Sequence, residues 1–194
     1  MSERFLTPKG RVAFANVFKA VANEDGGEPK YSLSLIFDSE ARADKNYKRM
    51  QALAKKTFIE KFGQEVWDKK SGGKGWPRGF NNPFRNGDDK EDYEGFAGNT
   101  FVTLSSKFAP GIVDSNVVKI ISDENFYSGC YAHCTITCYA YDAKGNKGVS
   151  FGLNNIQKLA DGERFGGSAP KAEDEFESFG GDDFGDDEDF DDLD

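Results

Sequence analysis

The chain has 194 residues, of which 37% are apolar, and a formal net charge of −9, which leaves room for one domain of ordinary size and a tail. No run approaches the roughly 18–20 consecutive apolar residues of a membrane helix. Met1-Ser2-Glu3-Arg4 lacks the basic start and apolar core of a signal peptide, so a cytosolic protein with three reduced cysteines is expected.

The whole-chain charge hides two segments. Ala172–Asp194 holds 13 Asp and Glu and no Lys or Arg. Removing them from the totals of 34 acids and 25 bases leaves 21 against 25, a body of about +4. A mildly basic body joined to a strongly acidic tail is compatible with a polyanionic ligand, which the overall charge would argue against.

Arg11–Lys19, rich in Phe and Val, reads as a strand. After Gly26-Gly27, Tyr31-Ser32-Leu33-Ser34-Leu35 alternates apolar and polar, the period of a half-buried strand. Ser39 offers an N-cap. Tyr47, Met50, Ala54, Phe58 and Phe62 then recur at helical spacing until Gly63 stops them. This is an amphipathic helix whose basic face is solvated. Residues 68–98 show no period and read as a long loop, a length that is uncommon without a function.

Strands resume at Phe101–Lys107 and Val117–Ile121. The strongest is Cys130–Tyr141, followed by a turn at 142–146 and a return strand from Gly148 to Leu153. A short helix is expected at Asn154–Lys158, before the Gly-rich exit at Gly162–Gly167. Five to six strands with one inserted helix suit a small closed or partly closed barrel. The OB-fold is the oligonucleotide-binding barrel of this kind, although strand counting does not separate it from other small barrels.

The Cys130–Tyr141 strand has two distinct faces. Cys130, Ala132, Cys134, Ile136, Cys138 and Ala140 share one, and Tyr131, His133, Thr135, Thr137, Tyr139 and Tyr141 the other. Strand residues four apart are separated by roughly 13 Å, too far for two thiolates on one zinc at about 2.3 Å each. The thiols therefore read as barrel core, and neither a metal nor a cofactor is expected. The Tyr/His/Thr face is either a platform for stacking bases or a second packed face.

The long loop carries Lys74-Gly75-Trp76-Pro77-Arg78-Gly79-Phe80 and Pro83-Phe84-Arg85. Aromatics interleaved with cations suit unpaired nucleic acid, since every base offers a π-face and every phosphate a charge. The competing reading is that Trp76 and Phe84 pin the loop to the barrel. The candidate DNA-binding residues are Arg11, Lys74, Trp76, Arg78, Phe80, Phe84, Arg85, Lys107, Tyr131 and Tyr139. Arg11, Arg78, Arg85 and Lys107 would follow the phosphates. The acidic run Asp88–Glu94 could suggest a metal-dependent nuclease, but without a basic partner pattern it reads as a solvated rim.

In the tail, Phe176, Phe179, Phe184 and Phe190 stand among acids. A block of like charge with few β-branched residues cannot bury a core and is expected to be disordered. Its spaced aromatics suit anchors that dock in a basic groove, either the chain's own or a protein partner's.

Tyr127-Ser128-Gly129-Cys130, the Tyr139-Ala140-Tyr141 strand and residues 145–157 (GNKGVSFGLNNIQ) resemble the bacteriophage single-stranded DNA-binding proteins with an OB-fold core and an acidic C-terminal tail. Pro83–Asp88 and Pro110–Asp114 are similar too. The resemblance runs in order over nearly all of residues 5–167. It implies an OB-fold domain over residues 1–167 and an acidic tail over 168–194. It also implies sequence-independent binding of single-stranded DNA in replication and recombination within the host cytoplasm, and no catalysis. A protein-interaction or inhibitor module with a DNA-mimicking tail is the alternative.

Overall fold

The computed structural model describes residues 3–22 and 26–166. The strands are β1 (Phe5–Leu6), β2 (Gly10–Val21), β3 (Lys30–Phe37), β4 (Arg85–Asn86), β5 (Thr100–Ser106), β6 (Gly111–Val113), β7 (Tyr131–Ala143) and β8 (Asn146–Ala160). Between β3 and β4 lie the helices α1 (Ser39–Ala43), α2 (Lys45–Phe62) and α3 (Gln64–Ser71). The sheet runs β1-β7-β2-β3-β5-β8-β6, and pairing of β7 with β8 closes β7-β2-β3-β5-β8 into a ring. Within that ring only β5 and β8 are parallel, through Leu104↔Phe151 and Ser105↔Gly152. A five-stranded closed barrel with this strand order is the OB-fold.

Alternation places one side of each strand inside. Leu33 and Leu35 face Leu104 and Val102 across β3–β5, and Cys130, Ala132, Cys134 and Ile136 fill the β7 side. Helix α2 packs on the barrel with Tyr47, Met50, Ala54 and Phe58, all buried at the anticipated spacing. Full burial of a side chain such as Phe58 contributes roughly 1.5–3 kcal/mol. Cys130 and Cys134 are core thiols, as their face implied, and Cys138 is partly buried against the same core. Burial pushes the Cys138 thiol up to about 11, partly opposed by a hydrogen bond with Thr57.

Several expected elements differ. Asp38, not Ser39, caps α1 by accepting from the Ala41 N–H at 2.8 Å. Asp44 caps α2 through the Asn46 N–H at 2.6 Å. Gly63 ends α2 as expected, at φ 96°, but α3 follows immediately, so the insertion holds three helices rather than one. The helix expected at Asn154–Lys158 is instead the continuation of β8. There Asn155–Gln157 pair with β6 on one side and Asn155–Lys158 with β7 on the other, so tertiary pairing decides a locally ambiguous segment. Val117–Ile121 is no strand; it contributes one bridge, Val113↔Lys119. The acidic segment 168–194 lies outside the described residues.

Candidate nucleic-acid interface

The outer face of β3 and β5 is built from the polar half of the same alternation that fills the core. Ser32 pairs with Ser105 and Ser34 with Thr103, and the Ser34 and Thr103 hydroxyls lie 3.3 Å apart. Asn16 of β2 sits opposite Ser32. Thr103 is exposed and Ser32, Ser105 and Asn16 are half-buried, so three hydroxyls and an amide form a strip on the barrel surface able to donate to phosphate or sugar oxygens, with the Ser34 hydroxyl buried beneath Thr103. Toward the other end of β3 the face is closed, where Ala13, Ile36, Phe96 and Phe101 pack into a second small core.

One wall of the strip is the segment 80–86. Asn81 fixes it to the β7–β8 hairpin: its N–H donates to the Lys147 carbonyl at 2.8 Å, and its side-chain amide donates to the Tyr141 hydroxyl at 2.8 Å. The segment then pairs with β5 as β4, which sets Arg85 opposite Phe101 with its guanidinium 5.5 Å from the ring centre. Arg85 is exposed, and with Asn82, Phe84, Thr103, Tyr141 and Ser150 it lines a single concavity. On the adjoining surface Tyr139 stands opposite Ser150, is 43% exposed, and lies 6.5 Å from Tyr141 between ring centres. An exposed ring, a free guanidinium and a row of hydroxyls can together stack a base, neutralise a phosphate and hold a sugar.

The structure brings together only some of the candidate residues. Arg85, Phe84 and Tyr139 meet at the concavity or its rim. Trp76 is wedged between Phe58 and Trp67, each with ring centres 5.6 Å away, and its indole nitrogen is buried without a hydrogen-bond partner. Phe80 sits 4.8 Å from both Phe58 and Phe62, under the Lys147 ammonium. Phe84 meets Tyr47 and Phe151 edge to face, with ring centres 5.3 and 5.5 Å away, and also lines the concavity. These rings pin the loop to α2 and the barrel. Lys74 and Arg78 are exposed in the turns after α3, on the segment that these rings anchor.

Tyr131 lies eight residues from Tyr139 on β7, roughly 26 Å along the strand, so the two tyrosines are not one platform. Arg11 is occupied: its guanidinium lies 4.3 Å from the Phe165 ring centre and donates to the Gly129 and Glu163 carbonyls at 3.2 and 3.0 Å. It holds the C-terminal segment against the barrel. Lys107 pairs with Glu28 at 2.5 Å, and this hydrogen bond and charge hold the Glu28 carboxyl below its ordinary range. The tail candidates Phe176, Phe179, Phe184 and Phe190 lie outside the described residues.

Sequence reasoning passed over the hydroxyl strip and three exposed rings, Phe14, Phe18 and Tyr93, which are 40%, 37% and 51% exposed. Phe14 shares the phase of the buried Val12 and is turned outward by a break in the β2–β3 ladder, and Tyr93 lies outside the strands, so alternation signalled neither.

A closed OB barrel with a hydroxyl- and aromatic-bearing face over its second and third ring strands has the architecture on which oligonucleotide- and oligosaccharide-binding proteins are built. The particular family follows from sequence. The chain belongs to the family of the single-stranded DNA-binding protein of Enterobacter phage Enc34, whose model matches residues 4–191. That family is one of binding proteins, not enzymes. The p50 protein of Acyrthosiphon pisum secondary endosymbiont phage 1 is 33% identical over 172 residues, covering 86% of this chain and 89% of p50. Among solved structures, the Enc34 single-stranded DNA-binding protein in complex with ssDNA superposes with a TM-score of 0.65 at 21% identity, over 84% of this chain and 89% of that one. The single-stranded DNA-binding protein gp2.5 of bacteriophage T7 does so with a TM-score of 0.58 at 15% identity, over 94% and 100%. At such identities the two structures support the barrel, and the family match rests on the sequence.

Proposed function

We propose that this protein binds single-stranded DNA without strong sequence preference along the β3–β5 face, and does so during phage DNA replication and recombination in the host cytoplasm. The observation that carries the reading is the convergence of Arg85, Tyr139 and the Ser32/Thr103/Ser105 strip on one open face of an OB barrel. Membership of a family of ssDNA-binding proteins supports it. Bases stack on Tyr139 and the exposed edge of Phe84, and phosphates meet Arg85, with Lys74 and Arg78 further along the same loop. The acidic tail competes with DNA for this face and, once displaced, recruits replication or recombination proteins through Phe176, Phe179, Phe184 and Phe190. This part of the reading rests on the opposite charges of tail and body.

Fluorescence anisotropy of a labelled oligo-dT with the full chain, over a salt series, tests the reading. Binding should weaken steeply with salt. Arg85→Gln should lower affinity and reduce the log–log salt slope by about 0.7, one single-strand phosphate contact. Tyr139→Ala should lower affinity about fivefold or more with the slope unchanged. Absence of binding at low salt would overturn the reading and favour a protein-interaction module with a DNA-mimicking tail.

A further inference from the structure

Beyond the β3–β5 strip lies a second aromatic feature. In β2 the ladder to β3 breaks between Ala13 and Asn16, and within that bulge Phe14 adopts φ +49°. A bulky residue in the left-handed region is rare and costs energy; such outliers gather where a ring must be presented in a particular direction. The bulge is held firmly. The Ala15 N–H donates to the Ser128 hydroxyl at 3.1 Å, and the Gly129 N–H donates to the Val12 carbonyl at 2.8 Å. The effect is to turn the Phe14 ring outward against Tyr93, edge to face at 5.1 Å, with the Lys90 ammonium 5.2 Å from both ring centres. Phe96 and Phe165 line the slot, and Asp92 and Glu94 line it too.

We propose that this slot takes one unpaired base of the bound DNA and selects bases carrying an exocyclic amine over thymine. The proposal rests on the ssDNA-binding reading and extends it. Position supports it: Asn16, two residues further along β2, sits at the hydroxyl strip opposite Ser32, so the slot is about 7 Å of strand from the proposed path. Chemistry supplies the selection. Two half-exposed rings offer a stacking surface, and Lys90 offers a phosphate its charge. The carboxylates of Asp92 and Glu94 can only accept hydrogen bonds. Adenine, cytosine and guanine present an exocyclic amine that a carboxylate can accept from, whereas the one donor of unpaired thymine, N3–H, is flanked by two carbonyl oxygens that a carboxylate repels. Carboxylates at the slot also repel phosphate, which favours entry of a base edge-first with its backbone left on the Lys90 side.

The test is anisotropy of the full chain with labelled oligo-dT, oligo-dC and oligo-dA of equal length. The wild type should bind dC and dA at least about fivefold more tightly than dT. Tyr93→Ala, which truncates an exposed ring, should lower dC and dA affinity more than dT affinity and so shrink that advantage. Asp92→Asn with Glu94→Gln should also erase the preference without weakening dT binding. Equal binding of all three oligomers by the wild type, or equal losses on dT and dC in Tyr93→Ala, would overturn the slot while leaving the β3–β5 reading intact. Failure to bind any oligomer would overturn the parent reading instead.

Discussion

Gly148 is the point at which one added carbon should detach a wall of the proposed groove. A Cβ built there lies 2.5 Å from the Asn81 carbonyl oxygen and 2.8 Å from both the Asn81 nitrogen and its Cβ. Two of these three contacts are backbone atoms, so no rotamer change relieves them, and the segment around Asn81 must move away. Gly148→Ala costs nothing in backbone conformation, because no positive φ is required there. What it breaks is the clamp. Asn81 N–H to Lys147 O at 2.8 Å, Val149 N–H to Asn81 O at 3.4 Å and the Asn81 amide to Tyr141 OH at 2.8 Å all depend on close approach. The three bonds, at about 0.5–1.5 kcal/mol net each, are together worth about 1.5–4.5 kcal/mol, and overpacking costs about 1–3 kcal/mol if the segment stays in place, so the cheaper of the two responses sets the loss at about 2–3 kcal/mol. For a chain of this size that lowers Tm by roughly 4–12 °C. Because Arg85 reaches the concavity on the same segment, ssDNA affinity and its salt slope should fall together. Thermal unfolding by circular dichroism and the anisotropy salt series measure both. Gly27→Ala is the control, since its added carbon meets nothing within 4 Å. A Gly148→Ala protein that melts with the wild type and keeps its salt slope would refute the clamp.

Arg11→Ala should lower Tm, because it removes the donor to the Gly129 and Glu163 carbonyls and the contact with Phe165, while the folded protein's ssDNA affinity stays within about twofold; a large affinity loss at unchanged Tm would return Arg11 to the DNA path. Desolvation raises the Cys138 thiol from its ordinary 9.0 to about 11, so the unfolded chain loses this proton first. Stability from this group is therefore complete below pH 9 and declines as pH rises through 11, and thiol-reagent labelling of the folded protein at pH 8 should be slow at all three cysteines; rapid labelling at pH 8 would contradict the core placement. Removing Ala172–Asp194 should tighten ssDNA binding most at low salt, with the advantage shrinking as salt rises; equal or weaker binding without the segment would exclude competition.

The barrel was legible because burial is two-sided along each strand. Leu33/Leu35 and Cys134/Ile136 announce an inner face by alternation, and Tyr47/Met50/Ala54/Phe58 announce a helix by their period. The errors fall where partners rather than local pattern decide. Asn154–Lys158 has helical spacing, yet β6 and β7 both claim its backbone. Val117–Ile121 is apolar enough for a strand, but Val117 takes a positive φ of 64° within a turn capped by the Asp114 side chain. The site was harder. Ser32, Thr103 and Ser105 are the ordinary polar phase of two strands, and only register makes them a strip. Trp76 and Phe80 carried the composition of a stacking loop, while Phe58 and Phe62, which hold them, lie on a helix whose own period already explained those two residues. Phe14 needed a bulge that no residue of β2 announces.

A chain of net charge −9 can hold a polyanion because electrostatics here is local. At physiological salt the Debye length is about 8 Å, so a phosphate beside Arg85 feels that guanidinium and little of a carboxylate two or three such lengths away. In the competition proposed for the 13 acids of Ala172–Asp194, it is contact at the effective concentration that a tether imposes, and not a general field, that opposes DNA. The body's excess of about four positive charges is correspondingly a poor gauge of affinity. Lys107 illustrates the point, since Glu28 already neutralises it at 2.5 Å. What counts is which cations remain unpaired beside a surface that can also stack a base, and on the β3–β5 face Arg85 meets both conditions.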